Sequence, residues 1–204
     1  MAVFDYNDLM KVEPVTLEGE VVRLEPMEMV HLEGLWGAGR DESLWRLIPT
    51  NVGSIDDMRK YMESALADRD RGVALPFVTV DRASGKVIGS TRFGNIDAAN
   101  LRAEIGWTWI TPAFQRTAVN AEAKLLMLTH AFETWKCIRV ELKTDALNDR
   151  SRNAIKRLGA TQEGIFRKHM ITDSGRFRDS VYFSIIDTEW PVVKEKLVSR
   201  LSSQ

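Results

Sequence analysis

The sequence predicts a single domain of the α/β (α+β) class, and three observations support this class. A strand-like run from Glu104 to Ile110 meets Pro112 and leads into a long amphipathic helix. Residues 138–145 alternate between apolar and polar or charged side chains, as a half-buried strand does, and a capped helix follows. Two further pairs of strand-like runs, at about 76–93 and 162–186, each enclose a turn that contains glycine. A chain of 204 residues is long enough to bury a substantial core as one domain.

The remaining elements follow from caps and periodicity, in chain order. Ser54 is a preferred helix N-cap with two acids after it, and Asn148 and Gly159 are a preferred N-cap and C-cap. The predicted elements are strand 21–26, helix 31–39, a helix from 54, hairpin strands 76–80 and 86–93, strand 104–110, helix 119–136, strand 138–145, a helix around 151, strands 162–171 and 177–186, and a helix after 191. Residues 1–15 are expected to form an arm, and residues 16–204 the domain.

The turn before the long helix is a candidate anion-binding site. The helix from Val119 to about Lys136 carries Leu125, Leu128 and Phe132 at three- and four-residue spacing, and neither Gly nor Pro interrupts it. The free N–H groups and the dipole at a helix N-terminus can hold phosphate. Glu104, at the start of the preceding strand, adds a candidate base. Together they suggest an enzyme with a phosphate-bearing cofactor; an ordinary strand-to-helix turn is the alternative.

The same turn resembles a known phosphate loop. Gln115-Arg-Thr-Ala118-Val-Asn120 is similar to the loop of the GNAT superfamily of acyl-CoA N-acyltransferases, which follows Gln/Arg-x-x-Gly-x-Gly/Ala. Two positions depart from the pattern, since Ala118 stands where Gly is usual and Asn120 where Gly or Ala is usual. These departures put the binding of the cofactor in question.

Two later segments extend the resemblance over nearly the whole chain. Asn148-Asp-Arg-Ser151, on a helix that ends in Leu-Gly159, resembles the Asn-x-x-Ser helix of the family. The segment from Gly175 to Pro191 resembles the branch of ribosomal-protein-type N-terminal acetyltransferases and their spermidine- or antibiotic-modifying relatives. The resemblance therefore runs from about residue 16 to residue 201.

The resemblance implies a fold, a co-substrate and a set of binding residues. The implied fold is a mixed, mostly antiparallel sheet of six to seven strands with flanking helices and a splayed central strand pair that admits acetyl-CoA. The implied co-substrate is acetyl-CoA, with no metal, and backbone groups of Thr108 and Ile110 are expected to contact its acetyl and pantetheine arms. The expected cofactor-binding residues are Thr108, Ile110, Gln115, Arg116, Thr117, Ala118, Val119, Asn120, Asn148 and Ser151.

Glu104 is the candidate general base, acting directly or through water. It lies eleven positions before Gln115, which is the spacing at which GNAT members of the histone-acetylating type place their catalytic Glu. The alternative is a structural carboxylate paired with Arg102 or Arg92. By strand alternation Glu104 and Thr108 share a face of the sheet, unless a bulge intervenes.

Ser151 is the candidate acid for the departing thiolate, because the Asn-x-x-Ser branch uses the serine hydroxyl there. A pantetheine contact, or a first-turn hydroxyl that bonds the backbone, are the alternatives. Amide formation by direct attack needs no covalent enzyme intermediate, and Cys137 is expected in the core rather than as a nucleophile. His169 lies on a late strand near the expected acceptor side.

Composition limits the partners. Lys plus Arg number 28 and Asp plus Glu 29, so the net charge of −1 favours neither nucleic acid nor an anionic membrane. One Cys and 3 His make a disulfide framework or a structural zinc site improbable. No window approaches a membrane span and the N-terminus does not resemble a signal peptide, so a cytoplasmic protein is expected. A homodimer is left open.

Two functions from different classes remain at this point. The first is an N-acetyltransferase that acts on a protein N-terminus or on a small amine. The second is an acyl-CoA-binding module that has lost catalysis and serves as a sensor or scaffold. The altered loop favours the second, whereas Glu104, Asn148 and Ser151 favour the first.

Overall fold

The computed structural model describes residues 10–202, and their regular elements are one β-sheet with helices packed against both faces. The strands are β1 (Leu17–Glu18), β2 (Val22–Pro26), β3 (Leu75–Asp81), β4 (Val87–Asp97), β5 (Arg102–Ile110), β6 (Arg139–Asp145), β7 (Thr161–Ile171) and β8 (Phe177–Ile186). The α-helices are α1 (Leu32–Gly39), α2 (Ile55–Asp70), α3 (Val119–Thr129), α4 (Asp149–Leu158) and α5 (Trp190–Ser202).

The sheet has the order β1-β2-β3-β4-β5-β6-β8-β7. Every neighbouring pair is antiparallel except β5 and β6, which run parallel. The predicted mixed, mostly antiparallel sheet is therefore confirmed. Within residues 10–202 it has eight strands, because the two-residue β1 adds to the predicted set at one edge.

Strand alternation divides the apolar residues into two cores, one on each face. Along β3, Leu75 and Phe77 join the core beneath α3, α4 and α5, whereas Val78 and Val80 join the core beneath α1 and α2. The face under α3 holds the larger core, and it includes Trp135, which is 2% exposed.

The predicted helix caps are confirmed. The Ser54 hydroxyl accepts a hydrogen bond from Asp57 N at 3.1 Å, and Asn148 Oδ1 accepts one from Ser151 N at 3.0 Å. Gly159 ends α4 in the left-handed conformation, with a φ of 99°, which residues with a Cβ rarely adopt.

The long helix that follows residues 115–120 is shorter than predicted. The α-helix ends at Thr129, and a π-helical turn follows from His130 to Thr134. Trp135 N bonds to His130 O at 3.0 Å, five residues back. The wider turn still leaves Phe132 and Trp135 buried, which explains why apolar spacing predicted one uninterrupted helix.

Much of the predicted N-terminal arm, residues 1–9, lies outside the described residues. The following segment packs on the domain, since Met10 is 3% exposed and Lys11 O accepts a hydrogen bond from Trp135 Nε1 at 2.9 Å. The turn between β1 and β2 is fixed to α3 by the buried Glu122 carboxylate. It accepts hydrogen bonds from the N–H groups of residues 20, 21 and 22.

Candidate active site

The parallel strands β5 and β6 pair only at their beginning. Arg102–Glu104 is in register with Arg139–Glu141, but β5 continues to Ile110 and β6 to Asp145 without further pairing. A gap therefore opens between the carboxyl-terminal halves of the two strands, beyond Glu104. This β5–β6 gap is the splayed central pair expected from the sequence.

A β-bulge lies inside the gap-forming half of β5. Trp107 has a φ of 49°, and the register of β5 against β4 shifts at this point. Ala103 and Ile105 face the core under α3, so Glu104 points to the opposite side, whereas Thr108 Oγ1 lies 2.7 Å from Lys124 Nζ on α3. Simple alternation is therefore wrong here, because the bulge places Glu104 and Thr108 on opposite faces.

Trp107 depends on a glycine in the neighbouring strand. A Cβ on Gly94 would lie 2.4 Å from a carbon of the Trp107 ring, so only glycine leaves room for the ring. A left-handed φ at an aromatic residue costs on the order of 1–3 kcal/mol. Trp109, by contrast, is 4% exposed and packs against Trp45, so it is a core residue.

Glu104 is buried and has two polar partners. It is 2% exposed, and its Oε2 accepts a hydrogen bond from Asn95 Nδ2 at 2.8 Å and pairs with Lys143 Nζ at 2.9 Å. The alternative partners Arg102 and Arg92 bind other carboxylates. The ion pair with Lys143 crosses the β5–β6 gap, so Glu104 stands where the two strands separate.

Cations and aromatic rings alternate across the same face of the sheet. The Arg92 guanidinium lies 5.0 Å from the centre of the Trp107 ring, and Lys143 Nζ lies 5.6 Å from it. Lys143 Nζ is also 5.8 Å from the centre of the Tyr182 ring. Such contacts contribute about 0.5–2 kcal/mol each when they are partly desolvated. The row joins β4, β5, β6 and β8 around Glu104.

A histidine and a tyrosine extend this face towards β7. Tyr182 Oη lies 3.4 Å from His169 Nε2, and His169 Nδ1 lies 3.1 Å from Ser180 Oγ. Burial, followed by repulsion from Lys143 and Arg178, lowers the pKa of His169. Burial raises the pKa of Tyr182. At neutral pH this pair is therefore an uncharged imidazole beside a protonated phenol.

An open cleft of about 460 Å³ adjoins Glu104 on this face. It is lined by Asn95, Arg102, Arg139, Glu141, Glu163, Gly164, Phe166 and Tyr182. Its arginines and glutamates pair with one another, as Arg139 does with Glu163. The ring of Phe166 stacks on Tyr182 at 4.4 Å. The cleft is thus a balanced polar surface with one aromatic wall.

The loop at the other end of the gap presents free backbone donors. Within residues 10–202, no acceptor bonds the N–H groups of Arg116, Thr117, Ala118, Asn120 or Ala121. The Val119 N–H makes only a 3.3 Å contact with Thr117 Oγ1. Residues 116–121 are called the cradle below. Arg116 has a φ of 65°, and left-handed residues in such loops turn successive N–H groups to one side.

The altered positions of the loop keep the backbone that an anion needs. Ala118 has a φ of −62° and a ψ of −22°, which are helical values open to any residue. Asn120 lies in the first turn of α3 and is half-buried. Neither substitution removes an N–H group from the cradle.

Gln115 and Arg150 connect the two sides of the gap. Gln115 Nε2 donates to Ile110 O at 2.7 Å, and Arg150 Nη2 on α4 donates to Gln115 Oε1 at 2.5 Å. Asn148 uses its side chain to cap α4, as noted above. The hydroxyl of Ser151 is half-buried and bonds no atom of the described chain. Ser151 therefore offers a free hydroxyl at the α4 side of the gap.

Lys124 is a buried cation-forming group without an anion. It is 5% exposed, and Nζ donates to Thr108 Oγ1 at 2.7 Å and to Thr91 Oγ1 at 3.3 Å. No carboxylate in the described part of the chain lies within ion-pair distance. Burial lowers its pKa from 10.5 to about 7.

Sequence reasoning did not identify several residues that the fold brings to this site, namely Asn95, Lys124, Lys143, Arg178 and Tyr182. One available signal was alternation along β6, where Lys143 and Asp145 lie on the face opposite Val140 and Leu142. Cys137 is 1% exposed, and burial raises the pKa of its thiol to about 12, so it is a core residue.

The described residues form neither a metal cluster nor a membrane span. No group of three or more His, Cys, Asp or Glu side chains there could hold a metal ion. No helix among them is long and apolar enough to cross a membrane.

Comparison with known proteins agrees with this architecture. A GCN5-related N-acetyltransferase from Brucella melitensis superposes with a TM-score of 0.86 at 32% identity, over 93% of this chain and 86% of that one. YdaF of Bacillus subtilis, named provisionally as a ribosomal N-acetyltransferase, is 32% identical over 106 residues. That match covers 52% of this chain and 57% of YdaF, so the chain spans little more than half the length of this relative.

A more distant structure shares the fold. Mycobacterium smegmatis RimJ, solved in complex with CoA-disulfide, has a TM-score of 0.77 at 21% identity, over 94% of this chain and 97% of that one. The model of the acetyltransferase (GNAT) domain family matches residues 22–161. That range runs from β2 to the first residue of β7 and includes the β5–β6 gap, the cradle and α4, so the chain belongs to the GNAT acetyltransferase family of acyltransferase enzymes.

Proposed function

We propose that the protein transfers an acetyl group from acetyl-CoA to a primary amine, at a protein N-terminus or on a small molecule, by direct attack of the amine on the thioester. The observation that carries this proposal is the β5–β6 gap, which has the cradle and Ser151 at one end and Glu104 at the other. The CoA-disulfide in the RimJ structure and the ribosomal role in the name of YdaF support the proposal.

The chain supplies donors that fit the phosphates and the pantetheine arm of acetyl-CoA. The free N–H groups of the cradle and the dipole of α3 match a pyrophosphate. Thr111 N bonds to Ile88 O on β4 at 2.8 Å, so by alternation the backbone groups of Ile110 point away from β4, towards the gap. Gln115 occupies Ile110 O. The Ile110 N–H and the backbone groups of Thr108, beside the bulge, are the proposed partners of the pantetheine amides.

Glu104 is the proposed proton acceptor for the amine, through an intervening water. An ammonium must lose a proton before it attacks, and the carboxylate stands at the point where the strands part. Asn95 and Lys143 hold the carboxylate in place. The water takes the proton from the ammonium and passes its own proton to Glu104. Neutral His169 and Tyr182 provide a continuing path on the same face.

Ser151 is the proposed partner of the leaving thiolate. Its hydroxyl is free, while its N–H is already bonded to Asn148, so the structural alternative of a hydroxyl satisfying the backbone has no support in the hydrogen bonds. The amine adds to the thioester carbonyl to give a tetrahedral oxyanion and its nitrogen loses the extra proton. When this intermediate collapses to the amide, the C–S bond breaks and the sulfur takes a proton from the Ser151 hydroxyl, which regains one from solvent. The bulged N–H groups of β5 near Trp107 can donate to the oxyanion that forms.

Two loops contact each other, namely the segment before α2 and the turn between β7 and β8. Asp173 N, in the turn between β7 and β8, donates to Pro49 O at 2.9 Å, and Asn51 N donates to Asp173 Oδ2 at 3.0 Å. We infer that this bridge lies over the acceptor side and favours acceptors that enter end-on, which a chain terminus or a small amine can do.

A thiol-release assay tests the proposal against the sensor or scaffold alternative. The full chain is incubated with acetyl-CoA and a panel of peptides, amino acids and polyamines, and products are identified by mass spectrometry. Release of CoA that depends on the amine, with a mass gain of one acetyl group, is the expected result. Binding of acetyl-CoA with no release for any amine would favour the sensor.

A further inference from the structure

Arg178 is a buried arginine whose guanidinium donates no hydrogen bond within residues 10–202. It is 5% exposed on β8, and its Nε is enclosed without a hydrogen-bond acceptor. The carboxylate of Asp145 lies 3.9 Å from that Nε, beyond hydrogen-bond range. None of its five N–H donors bonds any residue between 10 and 202. A buried donor without an acceptor costs about 1–3 kcal/mol, so such a group needs an explanation.

Asp145 does not provide that explanation. Its Oδ1 accepts a hydrogen bond from Leu147 N at 2.9 Å, and its Oδ2 bonds Arg176 Nη2. The carboxylate thus already has one cationic partner. Two arginines share one fully buried carboxylate, which leaves a positive charge without a matched anion.

Strand geometry places Arg178 on the acceptor side of the sheet. Arg178, Ser180 and Tyr182 alternate along β8 and therefore share a face. Ser180 meets His169, and the Tyr182 ring lies under Lys143, as described above. Burial lowers the pKa of Arg178, and the negative charges of Asp145 and Glu104 oppose that effect.

The other charged groups of this space cancel. Glu104 pairs with Lys143, and Asp145 pairs with Arg176. His169 is neutral at physiological pH because its pKa is lowered. Arginine remains charged under these conditions. The exception is Arg92, whose Nε also lacks an acceptor in the described residues and whose Nη1 lies 3.8 Å from the nearest carboxylate, that of Asp68. Arg178 and Arg92 therefore leave unmatched positive charge on this face, and a polyamine would meet cations rather than the acids it needs.

We propose that Arg178 binds a carboxylate of the acceptor, so that the preferred substrate is a primary amine with a carboxylate on the same small unit. A carboxylate matches the planar fork of a guanidinium with two parallel hydrogen bonds. This inference rests on the proposed function and adds the class of acceptor. Two sources share the chemistry, namely a free amino acid and a peptide whose second residue is acidic.

Matched amine pairs test the inference. Serine is compared with serine amide, and a Ser-Asp peptide with the same peptide carrying Asn, each with saturating acetyl-CoA. For at least one pair, kcat/KM for the carboxylate member is expected to exceed that for its partner by at least tenfold, mainly through KM. The pair that shows the ratio identifies the source of the carboxylate.

Two variants assign the preference to one side chain. Arg178→Met is expected to bring the ratio close to 1, and Arg178→Lys to retain part of it. Arg167→Met, which removes an exposed arginine of β7, is the matched control and should keep the wild-type ratio. If Arg178→Met does not fold, the ratio of Arg178→Lys compared with that of the wild type decides.

The outcomes separate this inference from the function on which it rests. Acetylation of both members of every pair at equal rates would overturn the carboxylate site and leave the acetyltransferase intact. A wild-type ratio that Arg178→Met preserves would also overturn it. Acetyl-CoA binding without acetylation of any amine would contradict the proposed function and this inference together.

Discussion

Glu104 is buried, forms a fixed ion pair and lies at the last paired position between β5 and β6. Its carboxylate is held by Asn95 and Lys143 at the last paired residue of β5, where the gap begins. A residue with a purely structural role would be satisfied by the same contacts. The two roles are distinguished by the rate of the chemical step, which falls when a proton acceptor is replaced but not when a structural carboxylate is replaced.

Glu104→Gln is expected to lower turnover by roughly 10²–10⁴-fold and to leave the affinity for acetyl-CoA nearly unchanged. Gln keeps the bond to Asn95 but leaves Lys143 without its anion, so folding must be checked in parallel. Steady-state kinetics from pH 6 to 9 and calorimetry with acetyl-CoA make the measurement. Glu133→Gln, which breaks an exposed pair with Lys194, is the control. Full activity of Glu104→Gln over this range would exclude the role.

Ser151→Ala distinguishes a hydroxyl that protonates the thiolate from one that only contacts pantetheine. If the hydroxyl protonates the thiolate, kcat falls and the affinity for acetyl-CoA is kept; if it contacts pantetheine, the affinity falls instead. The substitution should not disturb α4, because Asn148 caps it through the backbone N–H of residue 151. Single-turnover rates and calorimetry distinguish the two. Unchanged values in both would show that the hydroxyl has neither role.

Lys124→Met should stabilise the protein, most of all at or below neutral pH. The pKa of Lys124 is about 7 in the folded state, compared with 10.5 in the unfolded chain, where the side chain is not buried. Between these values the unfolded chain binds one more proton, so wild-type stability rises with pH across that window; below about pH 7 the burial cost is complete. Met removes this cost, while Thr91 and Thr108 still bond each other at 2.7 Å.

The expected gain is on the order of a few kcal/mol near pH 6, since one pKa unit corresponds to about 1.4 kcal/mol. It should shrink as the pH approaches 10.5. Urea unfolding of both proteins at pH 6 and pH 9.5 measures the difference. A gain that is the same at both pH values, or a loss at pH 6, would contradict this account.

At the scale of elements, the sequence predicted those features that depend on contacts within a single segment, such as helix caps. Ser54, Asn148 and Gly159 mark helix ends through contacts within a few residues, and the structure confirms all three. The π-helical turn after Thr129 was not predicted, because it depends on where Trp135 packs rather than on apolar spacing. The bulge at Trp107 likewise depends on Gly94, in another strand.

Ala118→Asp tests the cradle as an element. The carboxylate would stand among N–H groups that are proposed to hold pyrophosphate, so the affinity for acetyl-CoA should fall more than tenfold, or by more than about 1.4 kcal/mol. Ala113→Asp, in the exposed turn before Gln115, is the matched control and should bind normally. Calorimetry measures both. Tight binding that Ala118→Asp leaves untouched would show that the phosphates lie elsewhere.

At the scale of the whole molecule, the strand order brings together site residues that are far apart in the sequence. β8 lies between β6 and β7, so Tyr182 of β8 stands next to Lys143 of β6 and His169 of β7. The candidate residues Glu104 and Ser151 were recognisable because local patterns carry them. Lys143 and Arg178 were not, because their importance depends on partners that only the sheet order brings near.

The same topology predicts that acetyl-CoA stabilises the entire fold. The β5–β6 gap divides the sheet, and within the described residues the paired rows at Arg102–Glu104 and the bond between Gln115 and Arg150 are among the contacts that join its two sides. A ligand that occupies the gap would join the cradle to α4 only in the folded state. Folding and binding are then coupled, and the midpoint of unfolding must rise with ligand concentration.

At a ligand concentration 100 times Kd, the gain is about 2.7 kcal/mol, which corresponds to roughly 5–10 °C for a domain of this size. Thermal melts with acetyl-CoA from micromolar to millimolar concentration are expected to show this shift, in line with a micromolar Kd. Acetyl-pantetheine, which lacks the pyrophosphate, should shift the midpoint much less, and Ala118→Asp should reduce the shift given by acetyl-CoA. No shift and no calorimetric signal in the wild type at millimolar acetyl-CoA would remove the basis for the acetyltransferase proposal, because the gap would then hold nothing for an amine to attack.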